Sequence, residues 1–250
     1  MKEKFIIDTT LSGAYHSALV SLFYFGEETD CADWNTKQKE LSMTMVVVDP
    51  LREPMISKCF IGGIVELQQY VMELLDGILD FEIERGNWTY TYHQRYVDQY
   101  QFIIDELRRN PSSRRAVMDI RDKLTDMYSN DPACMQHIQF FIRDNKLHMK
   151  VLFRSNDACK ATFMNAFALI MLQKRVADEL GIEVGTYTHR ANSFHCYERD
   201  YKLLNNYVKR IIEYETHPEE MTYSYVDDWK EEMDEAIPAI MKKVEELKRE

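Results

Sequence analysis

Four short stretches of this chain carry residue types suited to covalent and anion chemistry. Asp131-Pro132-Ala133-Cys134 puts a single thiol after a proline turn and just ahead of a strand-like run. A lone cysteine is usually an inert buried hydrophobe; the exception lies beside an arginine, whose charge favours the nucleophilic thiolate. Arg154-Ser155-Asn156-Asp157 joins a guanidinium, a hydroxyl and a turn, which suits an anion cradle or a helix N-cap. Ser112-Ser113-Arg114-Arg115 follows Pro111, and adjacent arginines entering a strand point to opposite faces, one solvated and one engaged. Asn192-Ser193-Phe194-His195-Cys196-Tyr197 sets Ser193, His195 and Tyr197 on one face, either to contact a ligand or to close a core network. Cys134 with His137, or His189 with His195, lacks the paired spacing of a zinc motif, so no metal is expected.

The elements that must position these residues follow from hydrophobic spacing. Met43–Val48 reads as a strand stopped by Asp49-Pro50, and Ile64–Leu75 as an amphipathic helix closed by Gly77. Val97, Tyr100, Ile104 and Leu107 mark a second helix, ended by Asn110-Pro111, and Arg114–Ile120 reads as a strand. Ile138–Ile142 and Leu147–Phe153 flank Asp144-Asn145, a hairpin signal. In its second arm Leu147, Met149, Val151 and Phe153 share one face, and His148, Lys150 and Arg154 the other. Phe163–Leu180 is apolar almost all round, the mark of a buried central helix, and Gly181 ends it. Val184–Tyr197 is extended. The tail from Pro238 to Glu250 is a surface helix docked by Ile240, Met241, Val244 and Leu247, with Glu245 spaced to pair with Arg249. The sum is an α+β fold: a single domain over residues 1–250, with a mixed, mostly antiparallel sheet packed against helices.

Composition narrows the function classes. With 31 basic and 42 acidic residues the chain carries a net charge of −11, which excludes a general electrostatic grip on DNA or an anionic membrane. An anionic ligand must therefore be held by a local arginine cluster. The longest apolar run, Ala166–Leu172, is far shorter than the ~20 residues that span a bilayer. The segment Met1–Asp8 has no apolar core of a signal peptide. Five cysteines without a Cys-x-x-Cys pair favour free thiols in a reducing cytoplasm.

Taken in order, Asn110-Pro111-Ser112-Ser113-Arg114-Arg115, Pro132-Ala133-Cys134, Arg154-Ser155-Asn156-Asp157, Asn165 and Ser193-Phe194-His195-Cys196-Tyr197 resemble the thymidylate synthase family, which includes the pyrimidine hydroxymethylases. The resemblance is strongest over residues 110–199 and weaker back to about Met43; residues 213–250 form a divergent helical tail.

The resemblance implies a thymidylate-synthase-like fold whose sheet face forms a homodimer interface. It implies Cys134 as the nucleophile at carbon 6 of a uracil ring, an addition that makes carbon 5 reactive toward a one-carbon electrophile. Arg154 looks like the arginine that reaches the substrate phosphate and keeps the thiol ionised, with Ser155 beside it. Arg114 and Arg115 resemble the pair donated to the other subunit's phosphate site. Asn165 looks like the base reader: a carboxamide donates to the 4-oxo group and accepts from the ring N–H, which fits dUMP. Asp157 resembles the acid that contacts base and pterin, and His195 with Tyr197 the pair that holds the sugar 3′-hydroxyl. Glu73, in Glu73-Leu74-Leu75, best fits the family's acid–base glutamate, although Glu66 lies on the same helical face; Tyr90 is tied to the same water network.

Met135 follows the nucleophile where His is usual, Asn192-Ser193 replaces a common Gly-Asp, and the charged terminal helix has no counterpart in the family's closing tail. The implied reaction is reductive methylation of dUMP to dTMP with 5,10-methylenetetrahydrofolate or a related reduced pterin as co-substrate. Its rivals are a deoxypyrimidine nucleotide hydroxymethylase and a non-catalytic nucleotide-binding relative.

Overall fold

Several elements begin at a capping side chain or a turn residue. The computed structural model describes residues 1–249. Strand β1 (Glu3–Asp8) leads into α1 (Leu11–Phe25), whose Thr10 side chain accepts from the Gly13 amide. Strands β2 (Glu27–Cys31) and β3 (Thr36–Val47) pair antiparallel. After the short β4 (Ile56–Ser57) come α2 (Ile64–Asp76), ended by Gly77 at φ +62°, and the single turn α3 (Phe81–Glu84). Helix α4 (Tyr92–Arg109) is capped by Thr91 and ends in two arginines that suit the negative end of its dipole.

Strand β5 (Val117–Asp119) is shorter than the expected Arg114–Ile120, because the Ser113 hydroxyl takes the Arg115 amide and holds the arginine pair in a turn. Strands β6 (Met135–Arg143) and β7 (Lys146–Asp157) form the expected hairpin, with Asp144 and Asn145 both at positive φ. Then come α5 (Thr162–Leu180), β8 (Glu183–Tyr197), α6 (Tyr201–Glu213), the short β9 (Thr222–Tyr223) and α7 (Lys230–Leu247).

Helix α7 starts well before the expected Pro238 and runs through it. A proline in a helix interior costs about 3 kcal/mol, and burial of Met233, Ile240 and Val244 on both sides of it keeps the helix intact. Glu245 pairs with Lys248 at 2.8 Å rather than with Arg249, and Glu250 lies outside the described residues.

The main sheet runs β1-β3-β8-β7-β6-β5, with β2 added to β3; β4 and β9 make a separate ribbon. Two pairs, β1–β3 and β7–β8, are parallel, and the rest of the main sheet is antiparallel. Leu147, Met149, Val151 and Phe153 face the core as their alternation requires. Helix α5 lies on β7 and β8, α1 on β1 and β3, α2 on α5, and α7 on α2. Phe5 and Ile7 on β1 stay exposed. Among the described residues no helix is long and apolar enough to cross a membrane.

One irregularity in the sheet sets the aim of several polar side chains. Between β3 and β8 the register slips by a residue, Met43 facing Ala191 but Leu41 facing Phe194. The extra residue is a bulge on β8 at Asn192-Ser193, and it swaps the faces of the strand. Tyr187, His189 and Ala191 point into the core before it, Phe194 and Cys196 after it. Ser193, His195 and Tyr197 are thereby turned to the other side.

Candidate active site

Strand register brings most of the candidates to one end of the sheet. Met135 on β6 pairs with Phe153 on β7, so Cys134, one residue earlier, lies beside Arg154. The Arg154 amide donates to the Cys134 carbonyl at 2.8 Å. Its guanidinium reaches the same loop, Nε donating to the Ala133 carbonyl at 3.2 Å and Nη2 to that of Pro132 at 2.6 Å. Arg154 thus braces the loop that carries the thiol. Burial pushes the Cys134 thiol up from its ordinary range, and the Arg154 charge opposes this without outweighing it.

Parallel pairing of β7 and β8 sets Ser155 opposite Ser193 and Asp157 opposite His195. Ser155 Oγ lies 3.3 Å from His195 Nδ1, and the Tyr197 ring meets the His195 ring edge-on at 4.8 Å between centroids. Burial lowers the His195 pKa despite the nearby Asp157 charge, so the imidazole is a neutral hydrogen-bonding group. Asp157 Oδ1 accepts the amides of Cys159 and Lys160, both at 2.9 Å, which closes the turn into α5. Its Oδ2 has no hydrogen-bond partner among the described residues. Between Ser155 and Asp157, the Asn156 side chain points the other way into a buried network: its Oδ1 lies 2.9 Å from His189 Nε2, and His189 Nδ1 lies 2.8 Å from the Tyr187 hydroxyl. His189 has both ring nitrogens engaged, and burial lowers its pKa to about 3. Among the described residues no group of three or more His, Cys, Asp or Glu is placed to hold a metal ion.

Helix α2 sets the favoured Glu73 and its alternative Glu66 in different surroundings. Glu66 is exposed and takes the Gly63 amide at 2.9 Å, closing the helix N-terminus. Glu73 is turned inward, accepts from Gln69 Nε2 at 2.8 Å, and has its pKa raised by burial. It lines a cavity of about 210 Å³ with Tyr70, Leu79, Trp88, Tyr90 and Tyr92. Trp88 and Tyr90 also line an adjoining cleft of about 770 Å³ that reaches Arg95, Asp126 and Asp131.

Two tyrosines of this cavity carry weight that sequence reasoning did not assign them. Tyr70, Tyr90 and Tyr92 all stand near Cys134, and burial raises all three pKa values, that of Tyr90 to about 12. The Tyr92 hydroxyl accepts the Met135 amide at 3.4 Å, and the Tyr70 hydroxyl donates to Asn165 Oδ1. Asn165 is itself buried, near the start of α5. Tyr70 stands three residues before Glu73 on the same helical face, and that spacing is a signal that would have found it.

The arginine pair is not brought to this cluster. Val117 on β5 faces Gln139 on β6, so Arg114 and Arg115 lie toward the end of β6 far from Cys134. Arg115 donates through Nε at 3.1 Å and Nη2 at 2.9 Å to Glu106, while Arg114 is exposed with no side-chain partner among the described residues. Glu106 also accepts from Ser113 Oγ at 2.6 Å and from Arg109, and these bonds hold its carboxyl down at about 2. A depressed acid contributes stability that is complete above its ordinary value of 4.5 and is lost as pH falls through about 2. The gap in thermal midpoint between the wild type and Glu106→Gln should therefore shrink across that window; a gap independent of pH would refute the ionised anchor.

Residues 69–234 match the family model described as thymidylate synthase. Two archaeal relatives are each named "Putative thymidylate synthase". The Methanosarcina acetivorans protein is 31% identical, covering 84% of this chain and all of the relative. The Methanocaldococcus jannaschii protein is 28% identical over 82% of this chain and 96% of its own length. Among solved structures, the thermostable thymidylate synthase A from Bacillus subtilis superposes with a TM-score of 0.64 at 17% identity, covering 80% of this chain and 84% of that one; it shares the fold.

Proposed function

The chain belongs to the thymidylate synthase family, and on that premise we propose that it transfers a one-carbon unit to carbon 5 of dUMP, giving dTMP by reductive methylation through a covalent Cys134 adduct. The observation that carries this reading is the register that sets Cys134 against Arg154 while Glu73 and Asn165 approach from α2 and α5.

In this mechanism the Cys134 sulfur, after losing its proton, bonds to carbon 6 of the uracil. The ring π electrons move onto the 4-oxo oxygen, and carbon 5 becomes the nucleophile. Binding must offset the burial that raises the thiol, so closer approach of the Arg154 charge on nucleotide binding is part of activation. Asn165 reads the base edge, His195 and Tyr197 meet the sugar hydroxyl, and Ser155 with Arg154 meets the phosphate. Glu73, whose pKa burial raises, exchanges protons at the 4-oxo group and at carbon 5 before the sulfur–carbon bond breaks.

The methylene-tetrahydrofolate co-substrate would supply the one-carbon unit and, for methylation, the hydride. The residues present suit a flat reduced pterin: Trp88 and Tyr90 offer aromatic faces where cavity and cleft meet, and Asp157 keeps one carboxylate oxygen unpartnered for ring N–H groups. The walls beside Glu73, including Leu74 and Leu79, are mostly apolar, which supports capture of the exocyclic methylene by hydride rather than by water. Mass analysis of the product from dUMP and methylene-tetrahydrofolate tests this. Dihydrofolate with dTMP supports it, an added hydroxyl with tetrahydrofolate retained supports the hydroxymethylase, and no turnover supports the non-catalytic relative.

The working form is a homodimer joined through the sheet face, with Arg114 and Arg115 of the partner subunit completing the phosphate site. The exposed Phe5 and Ile7, and an arginine pair remote from its own chain's Cys134, support this assembly. Five free cysteines suit a reducing cytoplasm. Arg114→Ala with Arg115→Ala should weaken dUMP binding at least about tenfold in titration calorimetry, because charge-assisted bonds to phosphate are lost. Unchanged affinity would count against the shared site.

A further inference from the structure

We propose that Tyr70 sets the choice between uracil and cytosine by fixing which way the Asn165 carboxamide faces; this rests on the reading of dUMP as substrate. The Tyr70 hydroxyl donates to Asn165 Oδ1, its only hydrogen-bond partner among the described residues. Burial keeps the phenol protonated, so it has a proton to place. The carbonyl end of the amide is thereby assigned to Tyr70, and Nδ2, with no protein partner among the described residues, is left to the ligand.

An amide held this way donates from Nδ2 to the 4-oxo group of uracil and accepts from the ring N–H at the second lone pair of Oδ1. Cytosine presents the reverse pattern, an amino donor and a ring-nitrogen acceptor. Asn165 could match it only by flipping, which would turn Nδ2 toward the phenol and leave the Tyr70 proton with no acceptor. A buried unpaired donor is costly, so the phenol opposes the flip. Tyr70 touches neither the reacting carbon nor the sulfur bond; it is a positioning residue acting through Asn165. Three residues away on the same helical face, Glu73 serves the proton transfers, so one turn of α2 orients the base reader and carries the acid.

Calorimetric titration of the full chain with dUMP and with dCMP tests the proposal. Wild type, Tyr70→Phe, Asn165→Ala and the double variant are compared, with thermal midpoints recorded for each. Tyr70→Phe keeps the ring and removes only the hydroxyl. The ratio of dUMP to dCMP affinity should fall about tenfold in Tyr70→Phe, the scale of one buried hydrogen bond. It should collapse in Asn165→Ala, and Tyr70→Phe should change it no further in that background. A wild-type ratio in Tyr70→Phe, or an equal loss with Asn165 already removed, overturns the Tyr70 role alone. A wild-type chain that does not prefer dUMP overturns the pyrimidine reading together with it.

Discussion

Cys134→Ser is expected to lower dUMP turnover by at least about 10⁴-fold, because a serine hydroxyl is almost wholly protonated at neutral pH and is the weaker nucleophile. Nucleotide binding should change little, since the substitution is nearly isosteric and the loop stays braced by Arg154 through the Ala133 and Pro132 carbonyls. The direct readout is covalent. In 5-fluoro-dUMP the fluorine at carbon 5 blocks the proton loss that releases the enzyme, so the sulfur adduct accumulates and survives denaturation. Wild-type protein incubated with this nucleotide and the reduced folate should gain the mass of the adduct on Cys134, and Cys134→Ser should gain none. Of the other four cysteines, Cys59, Cys159 and Cys196 are buried, and Cys31 alone is partly exposed. An adduct on Cys31, or undiminished turnover in the serine variant, would end the proposed mechanism.

Glu73→Gln should lower kcat by about 10²–10⁴-fold with a much smaller change in KM, the usual loss when a positioned acid–base group is removed. The same substitution should leave the folded state at least as stable at neutral pH. Burial raises the Glu73 pKa, so the stability tied to its protonated form is complete below the ordinary value of 4.5 and is lost as pH rises through the raised one. Glutamine is neutral throughout and does not show that decline. The wild-type rate profile should carry a limb set by Glu73, displaced upward from an ordinary carboxyl, and Glu73→Gln should lack it. Glu66→Gln, which touches only the helix cap, should keep kcat and the limb. If Glu66→Gln lost activity while Glu73→Gln kept it, the assignment would reverse.

How far the sequence reached depends on which signals are local. Asp144-Asn145 announced its hairpin because both residues tolerate positive φ, and Gly77 and Gly181 closed their helices for the same reason. Helix α1 escaped because it is buried on several sides: Leu11, Ala14, Tyr15, Ala18, Leu19 and Leu22 are wholly enclosed, along with Ser12 and His16, so no polar stripe marks its period. At the site, motif order pointed to Cys134, Arg154, Asp157 and His195, and strand register places them near one another. Only the Glu-Leu-Leu pattern favoured Glu73 over Glu66, since seven residues returns a helix to nearly the same face and only packing buries one of them. Tyr70 was passed over because an aromatic at helical spacing is usually core; its meaning lies in Asn165, far away in the chain.

The bulge at Asn192-Ser193 divides the pocket into halves with different freedom to diverge. His195 and Tyr197 owe their aim to a single surplus residue on β8, and Ser155 and Asp157 meet that strand through a parallel register that is unbroken there. An insertion or deletion there would hand Phe194 and Cys196 to the ligand and withdraw His195 and Tyr197 at one stroke, so that half of the pocket tolerates little change in length. The opposite wall, from Leu79 to Tyr92, is largely loop and a single helical turn. It can lengthen, shorten or trade aromatics without disturbing strand pairing, and selection for a new carbon donor would leave its record in that wall.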